Sequence, residues 1–347
     1  MLPTCSDQLF LHPGPNAVDQ PRPTAHGPVE SVWIESKGEG GGRVHGWLML
    51  PRGASPENPV SAVLHLHGNA GSMDEHRPTA DFLVEAHRAV LMIDYRGYGR
   101  SDRTPRPGRE ALLADARAAH HWLREHASIH ADRVGVMGVS LGGAIALPLA
   151  AEEPTVRAVA VVAAFSSWRS VANDHFPLLP LLVVADHQKP SDAAAQLGDR
   201  PLLIVHGDRD RVVSLKHGHR LHEAAAAAGV NARLAVIKGI GHNDMFPWSA
   251  EAIGELRAFF DGHLGRRAAD ARDVQAKDAS PLPSPMPDAI ETLLGHRSIR
   301  TFKTDPVPEA DIRRAVAAGQ MASTSSNVQA YCCLRVTDAA ARAAIAE

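Results

Sequence analysis

Short apolar runs alternate with longer amphipathic stretches along most of this chain. Residues 29–35 and 43–50 read as two strands, and the glycines of Lys37-Gly38-Glu39-Gly40-Gly41-Gly42 permit a hairpin between them. Residues 60–65 form a strand of the fully buried type, and a helical pattern follows to His87. Ala89-Val90-Leu91-Met92-Ile93 is the next strand. Over residues 109–126, Leu112, Leu113, Ala116, Ala119, Trp122 and Leu123 fall on one face of a helix. Residues 133–137 predict a strand, and Ala144-Ile145-Ala146-Leu147 opens a helix after it. A β-branched run covers 156–163, and further strands are predicted at 201–205 and 232–237. Helices are predicted at 214–228, closed by Gly229, and at 249–264. Residues 164–199 show no clear period, and residues 1–28, rich in proline and turn formers, read as an irregular arm.

Strands that alternate with helices need right-handed crossovers and give a mostly parallel sheet with helices on both faces. The fold class expected is therefore α/β, with an antiparallel hairpin at the N-terminal edge. The pattern changes after Leu264. Residues 265–287 are first charged and alanine-rich, and then carry proline at every second position from Pro281 to Pro287, a stiff linker. The expected organisation is an arm at 1–28, a main domain at 29–264 with a short lid-like insertion at 164–199, the linker, and a small α+β segment at 288–347. A segment of about 60 residues is marginal for a core of its own.

Composition narrows the function classes. The 347 residues are 44% hydrophobic and 22% charged, as in a soluble globular protein. A formal charge of −3 predicts no nucleic-acid partner. Three cysteines, two of them adjacent at Cys332 and Cys333, give neither a disulfide framework nor zinc spacing. A reducing, cytoplasmic compartment fits. Residues 1–20 carry no signal-peptide pattern, and no apolar run is long enough for an integral membrane segment.

The candidate chemistry centres on Gly138-Val139-Ser140-Leu141-Gly142-Gly143, at a strand-to-helix turn. A serine there sits on a turn so sharp that its flanks must be nearly free of side chains. Its hydroxyl needs a base, and the base needs a carboxylate to hold its tautomer. Downstream, His206-Gly207-Asp208-Arg209-Asp210 and Gly241-His242-Asn243-Asp244 each follow a strand. His242 is the candidate base, and Asp208 or Asp210 the acid. Two backbone amides must meet a developing oxyanion. Leu141, just after the serine, and Asn69, in the loop His67-Gly68-Asn69-Ala70-Gly71, occupy the required places. Phe165, Trp168, Phe176, Leu178, Leu179, Leu181 and Leu182 either line an acyl pocket or pack on the domain body. His217, His219 and His222 read as a solvated helix face, with no metal site.

These motifs, with Asp94-Tyr95-Arg96-Gly97-Tyr98-Gly99-Arg100-Ser101, resemble the α/β-hydrolase domain-containing serine hydrolases, in a cap-poor branch with depalmitoylase-like and lysophospholipase-like members. The likeness spans about residues 8–264. It implies the α/β-hydrolase fold and a Ser-His-Asp acyl-enzyme mechanism on a small ester or thioester, without a cofactor. The family pattern His-Gly-x-x-Asp-x-x-Val selects Asp210 as the acid and leaves Asp208 to shape the turn. Gln8-Leu9-Phe10-Leu11-His12-Pro13 resembles an arm that follows a membrane anchor in that branch, which implies peripheral contact with a membrane or lipid. Farther on, residues 290–302 and 322–331 resemble the opening of FMN-dependent nitroreductases. There the equivalents of His296, Arg297, Ser298 and Arg300 hold the flavin phosphate, which would make the chain an oxidoreductase. The segment resembles a truncated form of that domain, so FMN binding is expected only from a complete one, and none from this chain alone. A third reading is a non-catalytic binding protein on the hydrolase scaffold.

Overall fold

The computed structural model describes residues 11–14, 18, 21–37, 41–103, 108–176, 184–245 and 249–265. The chain divides into two units, Met1–Arg267 and Ala268–Glu347. The described residues all belong to the first.

The strands are β1 (His12–Pro13), β2 (Val29–Ser36), β3 (Gly42–Met49), β4 (Val60–Leu66), β5 (Ala70–Gly71), β6 (Ala89–Ile93), β7 (Ile129–Val139), β8 (Val159–Val162), β9 (Leu202–Gly207) and β10 (Ala232–Ile237). The helices are α1 (Met73–His76), α2 (Asp81–Glu85), α3 (Arg109–Glu125), α4 (Leu141–Glu152), α5 (Trp168–His175), α6 (Pro190–Ala194), α7 (Leu215–Ala227) and α8 (Ala250–Leu264). Eight strands form one sheet in the order β10-β9-β8-β7-β4-β6-β3-β2. Among the described strands of this sheet, only the β2–β3 and β3–β6 pairs are antiparallel. The predicted hairpin thus heads an otherwise parallel sheet.

The inner strands explain the continuous apolar runs. In β6, Ala89, Leu91 and Ile93 join the core on one face, and Val90 and Met92 join the core on the other. Burial on both faces removes the alternation that a one-sided sheet would show. Leu112, Leu123, Leu147 and Leu221, from α3, α4 and α7, belong to the first core. Phe82, Leu83, Leu256 and Phe260, from α2 and α8, belong to the second. Helix α4 is buried all round from Leu141 to Ala150, which places it at the centre of its layer.

Two expectations are corrected here. The helical pattern to His87 is broken into α1, a 3₁₀ turn at Arg77–Thr79 and α2. Pro78 lacks an N–H and disfavours helix in the residue before it. The arm is also not wholly irregular. His12 and Pro13 pair in parallel with Ala70 and Gly71 as a separate two-stranded sheet, and Leu11 is buried in the first core. Two residues of strand are too short to leave a period in the sequence.

Candidate active site

The candidate residues lie at the C-terminal ends of β4, β7, β9 and β10, the edge where parallel α/β sheets place their ligands. Ser140 stands between β7 and α4 with φ 53° and ψ −114°, a conformation that L-residues avoid. Its N–H donates to the Val162 carbonyl at 2.8 Å, which ties the turn to β8. The flanking glycines are obligatory. A Cβ on Gly142 would lie 2.0 Å from the Leu66 carbonyl oxygen, and one on Gly138 would lie 2.3 Å from that of Gly142.

His242, in the loop after β10, has Nε2 3.1 Å from Ser140 Oγ. Its Nδ1 is 2.7 Å from Asp210 Oδ2. A carboxylate only accepts, so Nδ1 carries the proton and Nε2 is left to accept from the serine hydroxyl. Asp210, buried after β9, is itself held. Its Oδ1 accepts the N–H groups of Val212 at 2.9 Å and Val213 at 2.7 Å. Asp208 takes a different part: its Oδ1 accepts the Gly239 N–H at 2.6 Å, linking the loops after β9 and β10. His206 lies 3.5 Å from Asp210. Burial lowers the pKa of His206, and its Nε2–H donates to the Val213 carbonyl at 2.8 Å. It stays neutral and does not compete with His242.

The Leu141 amide opens α4, where the first N–H groups have no partner inside the helix. Gly68 is close to the serine, since a Cβ built on it would sit 3.8 Å from Ser140 Cβ. Asn69 follows it in the loop after β4. Behind the loop lies a wall of aromatic rings. His67 stacks on His76 at 5.1 Å and meets Tyr95 at 4.6 Å and Tyr98 at 5.5 Å. Burial, foremost, pushes His67 down to about 4. As a neutral ring it donates from Nδ1 to the Gly68 carbonyl at 2.7 Å.

A cavity of about 670 Å³ opens over Ser140 and His242. Leu141, Phe165, Val171, Phe176, Val184 and Val213 supply apolar lining, and His12, Asn69, Glu75, His76 and Thr79 supply polar lining. Phe165 and Phe176 therefore face the cavity, whereas Trp168 does not. Trp168 is buried, with the Arg109 guanidinium 4.4 Å from its ring centre. Arg109 also donates to the Ala185 carbonyl at 2.9 Å, fastening the chain before α6 to α3. Leu178, Leu179, Leu181 and Leu182 lie outside the described residues.

The solvated reading of His217 is overturned. His219 is exposed and His222 half-buried, but His217 is fully buried. The Ser166 hydroxyl and N–H reach His217 Nδ1 at 2.9 and 3.3 Å. Its Nε2–H donates to Asp174 at 3.1 Å. A lone histidine near a helix start carries no signal of such partners, which come from α5 and the segment before it. Among the described residues no group of three or more His, Cys, Asp or Glu could hold a metal ion. Nor is any described helix long and apolar enough to cross a membrane.

The chain has known relatives. Residues 61–186 match the model of the α/β-hydrolase fold. The uncharacterized protein YfhR of Salmonella typhi is 32% identical over 236 residues, covering 65% of this chain and 78% of YfhR. This chain belongs to the α/β-hydrolase family. Protein Rv2307c of Mycobacterium tuberculosis is 36% identical over 205 residues, 59% of this chain and 69% of that protein. Among solved structures, the Pyrococcus furiosus esterase Pf2001 superposes with a TM-score of 0.60 at 20% identity, covering 74% of this chain and 99% of the esterase. That likeness is one of fold. Residues 293–347 of this α/β-hydrolase match the nitroreductase family model. They include His296, Arg297, Ser298 and Arg300, which lie outside the described residues.

Proposed function

We propose that this α/β-hydrolase is a serine hydrolase cleaving carboxylic ester or thioester bonds through an acyl-enzyme, with the reaction carried by residues 29–264. The observation that carries the reading is the unbroken chain from Asp210 through His242 to Ser140, at 2.7 and 3.1 Å, ending on a serine at φ 53°.

In the first half-reaction His242 Nε2 takes the Ser140 proton as Oγ bonds to the carbonyl carbon. The carbonyl π electrons move to oxygen, and the amides of Asn69 and Leu141 meet the resulting oxyanion. Asp210 holds the imidazolium without taking its proton. The oxyanion collapses, the bond to the leaving oxygen or sulfur breaks, and His242 protonates that atom. Water then attacks the acyl-enzyme by the same steps and releases the acid and the free serine. The apolar lining of Leu141, Phe165, Val171, Phe176, Val184 and Val213 suits an acyl chain. Phe176 and Val212, 60% and 45% exposed at this cavity, suit the approach of a lipid-like substrate, or of the membrane or lipid phase that carries it.

A fluorophosphonate probe tests the reading. The protein is expected to become labelled, and Ser140→Ala and His242→Ala to abolish labelling. Labelling that survives Ser140→Ala refutes the nucleophile, and no labelling of the unaltered protein favours a binding role. A panel of esters and thioesters of increasing chain length then ranks substrates.

A further inference from the structure

The oxyanion step asks only for the backbone N–H of Asn69, yet its side chain is held from two distant parts of the chain. Asn69 Oδ1 accepts the backbone N–H of His12 at 2.9 Å and the Tyr98 hydroxyl at 3.3 Å. The first bond comes from β1, whose His12 and Pro13 run alongside Ala70 and Gly71 of the same loop. The Gly14 N–H extends this pairing to the Gly71 carbonyl at 2.9 Å, and the Gly99 N–H donates to the Gly14 carbonyl at 2.9 Å. Tyr98 is fully buried and packs edge-on against Tyr95 at 5.7 Å. Burial raises its pKa, so the hydroxyl keeps the proton it donates.

The N–H of Asn69 belongs to the peptide plane that joins it to Gly68. Glycine gives that plane no Cβ to restrain its rotation. An amide stabilises a developing charge only when it is aimed before the charge forms, because reorienting it during the reaction costs part of what it supplies. A tether on the Asn69 side chain meets that need from the other end of the residue.

We propose that Tyr98 and the strand His12–Gly14 are positioning elements, which act through Asn69 Oδ1 to fix the Gly68–Asn69 peptide plane with its N–H towards the oxyanion formed at Ser140. The inference rests on Ser140 as nucleophile and on the Asn69 amide as a donor.

Tyr98→Phe and Asn69→Ala both leave the backbone amide in place and remove part or all of the tether. Each full-length variant is assayed on a p-nitrophenyl ester and against a trifluoromethyl ketone of matching acyl chain, which forms an anionic adduct with the serine. We expect kcat to fall about tenfold, with KM within about twofold, because the loss is confined to states that carry the oxyanion. Affinity for the ketone should fall in step with kcat. Wild-type kcat and ketone affinity in both variants overturn the proposal. So does a loss that appears in KM alone, or a fall in kcat with unchanged ketone affinity. Asn69 is half-buried and is expected to tolerate truncation, so it carries the test if Tyr98→Phe does not fold. Failure of the underlying reading is seen separately, as fluorophosphonate labelling that survives Ser140→Ala.

Discussion

Ser140 holds φ 53° at a cost of about 1–3 kcal/mol for a residue with a side chain. Ser140→Ala keeps that strain, while Ser140→Gly releases it and gives back about 0.5–1 kcal/mol through the freer unfolded chain. Both variants should be inactive, and the glycine variant should melt a few degrees above the alanine one. A glycine variant that melts below the alanine one would show that the turn is not strained. Asp210 sets a second test. Its two oxygens serve different partners, the Val212 and Val213 amides on one side and His242 on the other. An asparagine whose oxygen keeps the amides must turn its NH₂ to His242, which places the imidazole proton on Nε2. Asp210→Asn is therefore expected to lower kcat about 10⁴-fold while still folding, as judged by circular dichroism. Loss below tenfold would detach Asp210 from the reaction. The order Ser140, Asp210, His242 was legible because each residue sits in a short motif after a predicted strand. The contact between Tyr98 and Asn69 was not. It joins two loops after different strands, and neither loop has a period that could report the other.

At the level of elements, the strands buried on both faces were the most legible. Their apolar runs are uninterrupted, as in β6, β8 and β9. The described residues of 164–199 were least legible, because their polar partners are single atoms far away in sequence. Asp174 of α5 pairs with Lys216 and His217 of α7, and His175 donates to the Val212 carbonyl at 2.8 Å. These bonds seat α5 against the loop that carries Asp210, so this wall of the cavity is built into the domain. The turn after β6 is fixed in another way. Asp115 of α3 accepts from Arg96 Nε at 2.6 Å and from the Arg96 N–H at 2.8 Å, with both side chains buried. Burial raises the Asp115 pKa, and Arg96 opposes that rise. Removing one partner leaves an uncompensated buried charge, so Asp115→Ala should cost about 3–5 kcal/mol. The double variant Arg96→Met, Asp115→Leu should cost less than Asp115→Ala. Urea unfolding followed by fluorescence compares them, and a double variant that costs more than Asp115→Ala would rule out the pair as a unit.

On the scale of the whole molecule, the chain carries an α/β-hydrolase match at 61–186 and a nitroreductase match at 293–347. All five tryptophans, at 33, 47, 122, 168 and 248, belong to the first unit, so their fluorescence reports that unit within the intact chain. Its response to acid follows from buried histidines. Burial, as the largest cause, pushes His65 and His120 down to about 3 and His67 and His217 down to about 4. In the unfolded chain each would take a proton near 6.5. Between 6.5 and about 4 the unfolded state thus binds protons that the folded state refuses. Stability is complete above 6.5, falls as pH drops through that window, and levels off once the folded rings also protonate. The limiting slope is about 1.4 kcal/mol per pH unit for each such histidine. Carboxylates with lowered values, such as Asp174 and Asp102, lose their contribution only below about 4, so they do not imitate this window. The urea midpoint should therefore fall steadily from pH 7 to pH 4.5. His120 bonds Thr155 at 2.9 Å and takes no part in the proposed reaction, so His120→Leu should flatten the fall by one histidine's share. A fall left unchanged by His120→Leu would mean that this ring is protonated in place, contrary to its burial.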